Sequence, residues 1–181
     1  SSMDRPGASI VVATRNEARH IRACLDSIFA AEPFGTFEVL VVDGESEDGT
    51  RAIVAEAARE HPEIRLVPNP RRITPVAFNL GIKASRGEYI FILSAHSAYD
   101  PSYFRLCLDT ARRIGTANTG GWIEWTPAGR TVEARLARAL GSSPFGWGAA
   151  RFRGNAVKEG PADADAFGCF PRWVFEKYGL H

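Results

Sequence analysis

FEVLVVDG, residues 37–44, is a continuous apolar run that stops at an acid and a glycine, and TRAIVAEAARE, residues 50–60, follows it with Ile53, Val54 and Ala57 on one side of a helix. A strand facing water would alternate apolar with polar residues, so an unbroken run marks a strand covered on both faces. The pattern repeats on either side. ASIVVA, residues 8–13, is a short β-branched run, followed by Ile21, Leu25, Ile28 and Phe29 at helical spacing. Residues 64–67 predict a third strand, residues 75–85 a helix with proline in its first turn, and YIFIL, residues 89–93, a fourth buried strand. Strands that alternate with helices build a doubly wound, mostly parallel α/β sheet with helices on both faces.

The texture changes after residue 100. Asp100-Pro101 reads as the cap of a helix reaching Ile114, GGWIEW at 120–125 as a strand, and residues 132–140 as a helix. Glycine, proline and aromatics dominate 141–167, which predicts a long loop, and a short final helix is expected over 171–178.

At 181 residues the chain is long enough for one domain with one core. With 45% apolar residues, 24% charged and a net charge of +1, it is neither a disordered polyelectrolyte nor a protein whose overall field recruits nucleic acid. Any anionic ligand has to be held locally. Cys24, Cys107 and Cys169 are odd in number and widely spaced, which favours reduced thiols and a cytoplasmic compartment over a disulfide frame or zinc site. The longest strongly apolar stretch, residues 89–95, is far short of the roughly 20 residues needed to cross a bilayer, and no charged-then-apolar leader opens the chain. Ser1-Ser2-Met3 reads as a cloning scar before a natural Met.

Parallel sheets bind ligands beyond the carboxyl ends of their strands, which places residues 14–17, 43–48 and 94–97 around one crevice. Asp43 directly follows a buried strand, where its carboxylate can accept a hydrogen bond from a base N–H or a ribose hydroxyl. The competing reading is a helix-entry turn, and Asp48-Gly49-Thr50 supplies that cap better than Asp43 does. Thr14-Arg15-Asn16-Glu17 opens the first helix, so its backbone N–H groups can meet phosphate or carbonyl oxygens; capping by Thr14 or Asn16 has equal weight. Arg71 and Arg72 lie just past the third strand, where a guanidinium can stack on a base or bond a phosphate, against a solvated surface pair as the plain alternative. His96 ends the Ser94-Ala95-His96 tip, where a neutral imidazole can ligate a divalent cation beside a diphosphate. Trp122, Glu124 and Trp125 suit a sugar or acceptor pocket, because aromatic faces pack on pyranoses and a carboxylate accepts hydroxyl protons; core aromatics are nearly as good a reading. Neither a Walker loop nor Gly-x-Gly-x-x-Gly is present, which disfavours ATP hydrolysis and dinucleotide oxidoreduction.

IVVATRNEA, VVDGESEDGT, NLGIKASRGEYIFIL and SAH occur here in the order and at the separations of the family-2 glycosyltransferase nucleotide-binding region, over residues 8–98. NPRRITPVAFNLGI, AHSAYDPSYF, TGGWIEW and SSPFGWGAARFRG resemble more narrowly the bacterial succinoglycan-type exopolysaccharide branch, which extends the likeness to Gly179. The resemblance implies a GT-A fold, a single domain over 1–181 with a donor-binding half at 8–98 and a partial acceptor-side half at 99–181, and inverting transfer from a UDP-sugar to a glycan or lipid-linked hydroxyl. It implies that Thr14 and Asp43 border the uracil with Arg71 or Arg72 near it, and that Ser94, Ala95 and His96 meet ribose and a Mg²⁺ or Mn²⁺ ion. Asn16 and Glu17 fall in the same nucleotide-binding set, and Asn79 and Gly81 serve helix packing. In this reading UDP-sugars bind better than GDP- or ADP-sugars.

Two departures qualify the resemblance. The family usually carries Asp-x-Asp at the metal tip and the narrower branch often Asp-Ala-His, whereas Ser94 brings no charge, so weaker metal binding is expected. Relatives also continue past FGCFPRWVFEKYGL into an acidic segment holding the catalytic base and often into membrane helices, so full-length protein is expected at the inner membrane face. Asp163 and Asp165 are substitute bases only if the solvated-loop reading of both fails. A catalytically impaired nucleotide-sugar-binding module is thus the first rival, and a nucleotidyltransferase the second, disfavoured by the lack of a glycine-rich basic loop after the first strand. Self-association is left open.

Overall fold

The computed structural model describes residues 5–115 and 168–179. Strands β1 (Ala8–Thr14), β2 (Phe37–Asp43), β3 (Ile64–Pro68), β4 (Tyr89–Ser94) and β5 (Gly168–Pro171) form one sheet in the order β3-β2-β1-β4-β5. The first four strands run parallel and β5 pairs antiparallel with β4. Helices α1 (Ile21–Phe29), α2 (Thr50–Glu60), α3 (Thr74–Ala84), α4 (Tyr103–Ile114) and α5 (Arg172–Tyr178) cover it.

Successive residues of a strand point to opposite faces, and here both faces are buried, which is why the strands read as unbroken apolar runs. Ile10, Val12, Val39, Val41, Phe91 and Leu93 pack with Ile21, Leu25, Ile28, Val54, Phe104 and Leu108 from α1, α2 and α4. Val11, Leu40, Val42, Ile90 and Ile92 pack on the opposite face with Ala77, Phe78, Ile82 and Phe175 from α3 and α5. The expected doubly wound architecture is therefore present. No disulfide joins Cys24, Cys107 or Cys169, all of them buried.

Differences from the sequence expectation fall in the second half. The helix expected from Asp100 starts at Tyr103, because the Asp100 carboxylate accepts hydrogen bonds from the Ser102 N–H at 3.0 Å and hydroxyl at 2.8 Å and closes a turn ahead of it. Strand β5 was not expected, since four residues bounded by glycine and proline carry no periodicity of their own; its pairing with β4 supplies what propensity does not. Pro171 ends that strand, so the last helix begins at Arg172. The strand expected at 120–125, the helix at 132–140 and the loop over 141–167 lie outside the described residues.

At the amino ends of the strands a buried carboxylate ties four segments together. Glu38, 4% exposed, accepts hydrogen bonds from the Ser9 hydroxyl at 2.7 Å, the Arg86 N–H at 2.6 Å and the Arg65 guanidinium at 3.0 Å. Burial is the largest influence on this carboxyl and pushes it up, but those hydrogen bonds and the Arg65 charge together outweigh it and hold it below the ordinary range. A depressed folded-state value stabilises the fold fully above the unfolded value of about 4.3, and that stability is lost as pH falls through the folded-state value. Glu38→Gln is expected to lower stability by about 1–3 kcal/mol at neutral pH and to flatten the acid limb of the melting curve below pH ~4. Thermal melts of both proteins across that range check this; parallel acid limbs would contradict it.

Candidate functional site

The strand order places the site. The chain builds outward from β1 through β2 to β3, then crosses back to lay β4 on the other side of β1. That reversal opens a crevice at the carboxyl ends of the strands, where Thr14 sits opposite Asp43 and Ala13 opposite Ser94. The tips of the first, second and fourth strands are thus neighbours, as the sequence implied.

The loops after β1 and β2 are laced together by side chains. The Asn16 N–H donates to Ser46 Oγ at 2.8 Å, the Glu17 N–H to Thr50 Oγ1 at 3.0 Å and the Ala18 N–H to Asp48 Oδ2 at 3.0 Å. In return Asn16 Oδ1 accepts from the Glu47 N–H at 2.9 Å. The expectation that the 14–17 N–H groups meet a ligand oxygen is therefore corrected for Asn16 and Glu17, whose N–H groups are already committed to protein. Asn16 also braces the second loop with its side chain and caps no helix, since α1 starts from His20. Asp48 does close the entry to α2, accepting from the Thr50 N–H at 3.1 Å and hydroxyl at 2.5 Å. The Thr50 hydroxyl, then the Ala18 N–H, hold the Asp48 carboxyl below its usual range.

Asp43 is 3% exposed, and both of its oxygens meet Ser46: Oδ2 accepts the N–H at 3.0 Å and Oδ1 the hydroxyl at 2.5 Å. The Arg51 guanidinium stands 3.8 Å from Oδ2. The turn-forming role that the sequence assigned to Asp48 alone is shared by Asp43. Flanking it across the sheet are two buried polar atoms with no hydrogen-bond partner, Thr14 Oγ1 and Asn69 Oδ1. Asn69 is fixed by its N–H, which donates to the Asp43 carbonyl at 2.8 Å, and by its amide nitrogen, which donates to the Ile73 carbonyl at 3.0 Å.

Three non-glycine residues have left-handed backbone among the described residues, one in each loop after β1, β2 and β3: Asn16 at φ 54°, Glu45 at 57° and Arg72 at 61°. Such conformations cost on the order of 1–3 kcal/mol each and persist where the surroundings impose them, commonly at binding sites. Glu45 and Arg72 are joined by an ion pair at 2.5 Å at the rim of the crevice, with the Arg72 side chain still 46% exposed. Arg71 beside it is exposed.

At the β4 tip, the Ser94 N–H donates to the Tyr99 hydroxyl at 3.0 Å, which donates in turn to the Ser94 carbonyl at 3.2 Å. Burial pushes the Tyr99 phenol up, so it stays protonated and keeps that clamp closed. The Cys24 thiol also donates to the Ser94 carbonyl at 3.7 Å, and burial first, then the Glu17 charge, pushes it up to about 12. Ala95 is 1% exposed and its methyl group packs in the core. His96 is exposed, with Ser94 Oγ 2.6 Å from Nδ1 and 3.1 Å from Nε2, and with Glu17 Oε1 3.8 Å from Nδ1.

Sequence reasoning missed Ser46 and Tyr99, and the bond from Thr50 to the Glu17 N–H, all of which position the loops. The three-residue step from Asp43 to Ser46 is an Asx-type signal that could have marked the first of them. Trp122, Glu124, Trp125, Asp163 and Asp165 lie outside the described residues. Among the described residues no three His, Cys, Asp or Glu side chains gather as a metal-ligand set, and no helix is long and apolar enough to cross a membrane.

Comparison with known proteins agrees with this geometry. The chain is 30% identical over 148 residues, 77% of its length and 46% of the relative's, to the Methanococcus voltae dolichyl N-acetyl-α-D-glucosaminyl phosphate 3-β-D-2,3-diacetamido-2,3-dideoxy-β-D-glucuronosyltransferase. It is 31% identical over 108 residues, 59% of its length and 33% of the relative's, to the succinoglycan biosynthesis protein ExoA of Rhizobium meliloti. It spans less than half the length of these relatives, which come from an archaeon and a bacterium. Among solved structures, a Pyrobaculum calidifontis mannosyltransferase in complex with GDP-Man and Mn²⁺ superposes with a TM-score of 0.70 at 24% identity, covering 97% of this chain and 47% of that one. S. aureus TarS in complex with UDP gives 0.54 at 20% identity, covering 67% and 38%. These likenesses support the GT-A fold, and because one neighbour carries a guanosine and the other a uridine nucleotide, the fold alone does not choose the base. The model of glycosyl transferase family 2 matches residues 9–175, and the chain belongs to that family.

Proposed function

We propose that this chain binds a UDP-sugar at the carboxyl ends of β1, β2 and β4 and serves as the donor half of an inverting glycosyltransferase acting on a glycan or lipid-linked hydroxyl. The observation that carries the reading is Asp43, a buried carboxylate at the strand reversal, flanked by the unpartnered Thr14 hydroxyl and Asn69 amide oxygen. Two of the carboxylate's roughly four lone-pair sites are used by Ser46, which leaves each oxygen able to accept from a base N–H. Uracil offers one N–H between two carbonyl acceptors, and Arg71 and Arg72 lie within the same rim to serve those acceptors.

In the transfer, the acceptor oxygen forms a bond to the anomeric carbon as the bond to the diphosphate oxygen breaks, and the acceptor proton passes to a base within hydrogen-bond reach. Asp163 and Asp165 are weak substitutes for that base, with a solvated loop the stronger reading of both. A Mg²⁺ or Mn²⁺ ion, when bound, neutralises the charge of the leaving diphosphate. The donor set at the β4 tip fits such an ion, since His96 is exposed beside the Glu17 carboxylate and hard cations of this kind fill their remaining positions with phosphate oxygens and water. His96 would hold it.

Calorimetric titration with UDP, GDP and ADP tests the base assignment. UDP is expected to bind at least about tenfold tighter than the others, roughly 1.4 kcal/mol. Equal affinities would remove the uracil assignment.

A further inference from the structure

We infer that Glu17, on the loop after β1, supplies the negative charge that Ser94 lacks, so that Glu17 and His96 together hold the divalent cation of the donor complex. The inference rests on the nucleotide-diphosphate reading above. It assigns Glu17 to the cation, where the motif resemblance had grouped it with the nucleotide-binding residues.

Four observations carry it. First, Glu17 Oε1 stands 3.8 Å from His96 Nδ1, a separation that a small side-chain rotation brings to that of two neighbouring ligands on one ion. Second, the Glu17 side chain is only 25% exposed, yet no hydrogen bond to its carboxylate is made among the described residues; the group beside it is the imidazole, itself 64% exposed. A partly buried carboxylate without donors costs free energy unless a cation satisfies it. Third, the imidazole that the carboxylate faces is held at the β4 tip, with Ser94 Oγ 2.6 Å from His96 Nδ1. Fourth, its backbone is fixed: the Glu17 N–H is held by Thr50, and the left-handed Asn16 before it is held by Ser46 and Glu47. The side chain is thus aimed by the loop and not by the ligand.

Ser94 has a defined part in this arrangement. Its hydroxyl holds the imidazole edge at 2.6 Å and 3.1 Å, so the ring must release one nitrogen from Ser94 to take the cation. Replacing Ser94 by an acid would add a third ligand at the same tip, whereas replacing Glu17 would leave His96 alone.

The test is Mn²⁺ binding read from the electron paramagnetic resonance signal of the free ion, with UDP present, on the 181-residue chain and on Glu17→Gln, His96→Ala and Ser94→Asp variants. Metal-free UDP affinity is measured beside it by calorimetry, and circular dichroism confirms folding. Glu17→Gln and His96→Ala are each expected to weaken Mn²⁺ by about tenfold or more, metal-free UDP affinity to stay within about twofold in Glu17→Gln, and Ser94→Asp to tighten Mn²⁺. Mn²⁺ affinity unchanged in Glu17→Gln, or a loss of metal-free UDP binding in that variant, would overturn the inference and return Glu17 to the nucleotide. Failure of the unsubstituted chain to bind Mn²⁺ while still binding UDP would overturn it as well. Failure to bind UDP at all would overturn the reading on which it rests.

Discussion

Asp43→Asn is expected to weaken UDP binding by about one to two orders of magnitude, a loss of roughly 1.5–3 kcal/mol, with little change in melting temperature. Asparagine keeps the shape of the side chain and an amide oxygen that can still accept one bond from Ser46. What disappears is the charge, and with it the charge-assisted bond to the base N–H that the proposal assigns to a position 3% exposed, where water competes poorly. Asp43→Ala is a poorer probe, because it would also leave the Ser46 N–H and hydroxyl without their acceptor and loosen the loop that holds Asn16. Calorimetry paired with thermal melting separates the effects. An Asp43→Asn variant that binds UDP as tightly as the unsubstituted chain would reduce Asp43 to a turn residue.

The largest expected effect on stability belongs to Gly87→Ala, about 3 kcal/mol or a fall of roughly 6–12 °C in melting temperature. A Cβ at Gly87 would stand 2.5 Å from the Ala8 carbonyl carbon and from the Ser9 nitrogen, both backbone atoms of β1 that cannot move without shifting the strand. The same shift would pull the Gly87 N–H from Ser9 Oγ, now at 2.7 Å, and disturb the Glu38 cluster. Gly81→Ala is a useful contrast. Its Cβ would collide with Val11 Cγ1 and press on Val42 where α3 crosses the sheet, but those are side-chain atoms that can give way. Alanine also suits a helix better than glycine by up to ~1 kcal/mol, so the net loss should be about 1–2 kcal/mol. Equal melting temperatures for both variants would show that backbone proximity at Gly87 is not limiting.

The first half of the fold was legible because its signals are local. An unbroken run such as FEVLVV has one economical use, a strand buried on both faces, and the register confirms it with Val39 and Val41 on one face and Leu40 and Val42 on the other. Strand β5 was not legible, because its four residues become a strand only by pairing with β4, a contact across more than seventy positions of sequence. The same division runs through the site. Strand ends fix where Thr14, Asp43 and His96 stand, so their proximity followed from topology. The lacing of Ser46, Thr50 and Asp48 onto the 16–18 backbone is tertiary, and no pattern in either loop announces its partner. Ala95 illustrates the limit from the other side: the resemblance placed it at the nucleotide, and nothing in the sequence showed that its methyl group packs in the core.

A crystal structure of the chain grown with UDP and Mn²⁺ tests the central claim most directly. The account predicts the pyrimidine at the carboxyl ends of β1 and β2 with its N–H on Asp43 and the Arg71–Arg72 rim beside it, and the diphosphate at the β4 tip near His96. A nucleotide seated anywhere else, or oriented with its diphosphate toward Asp43, would contradict it.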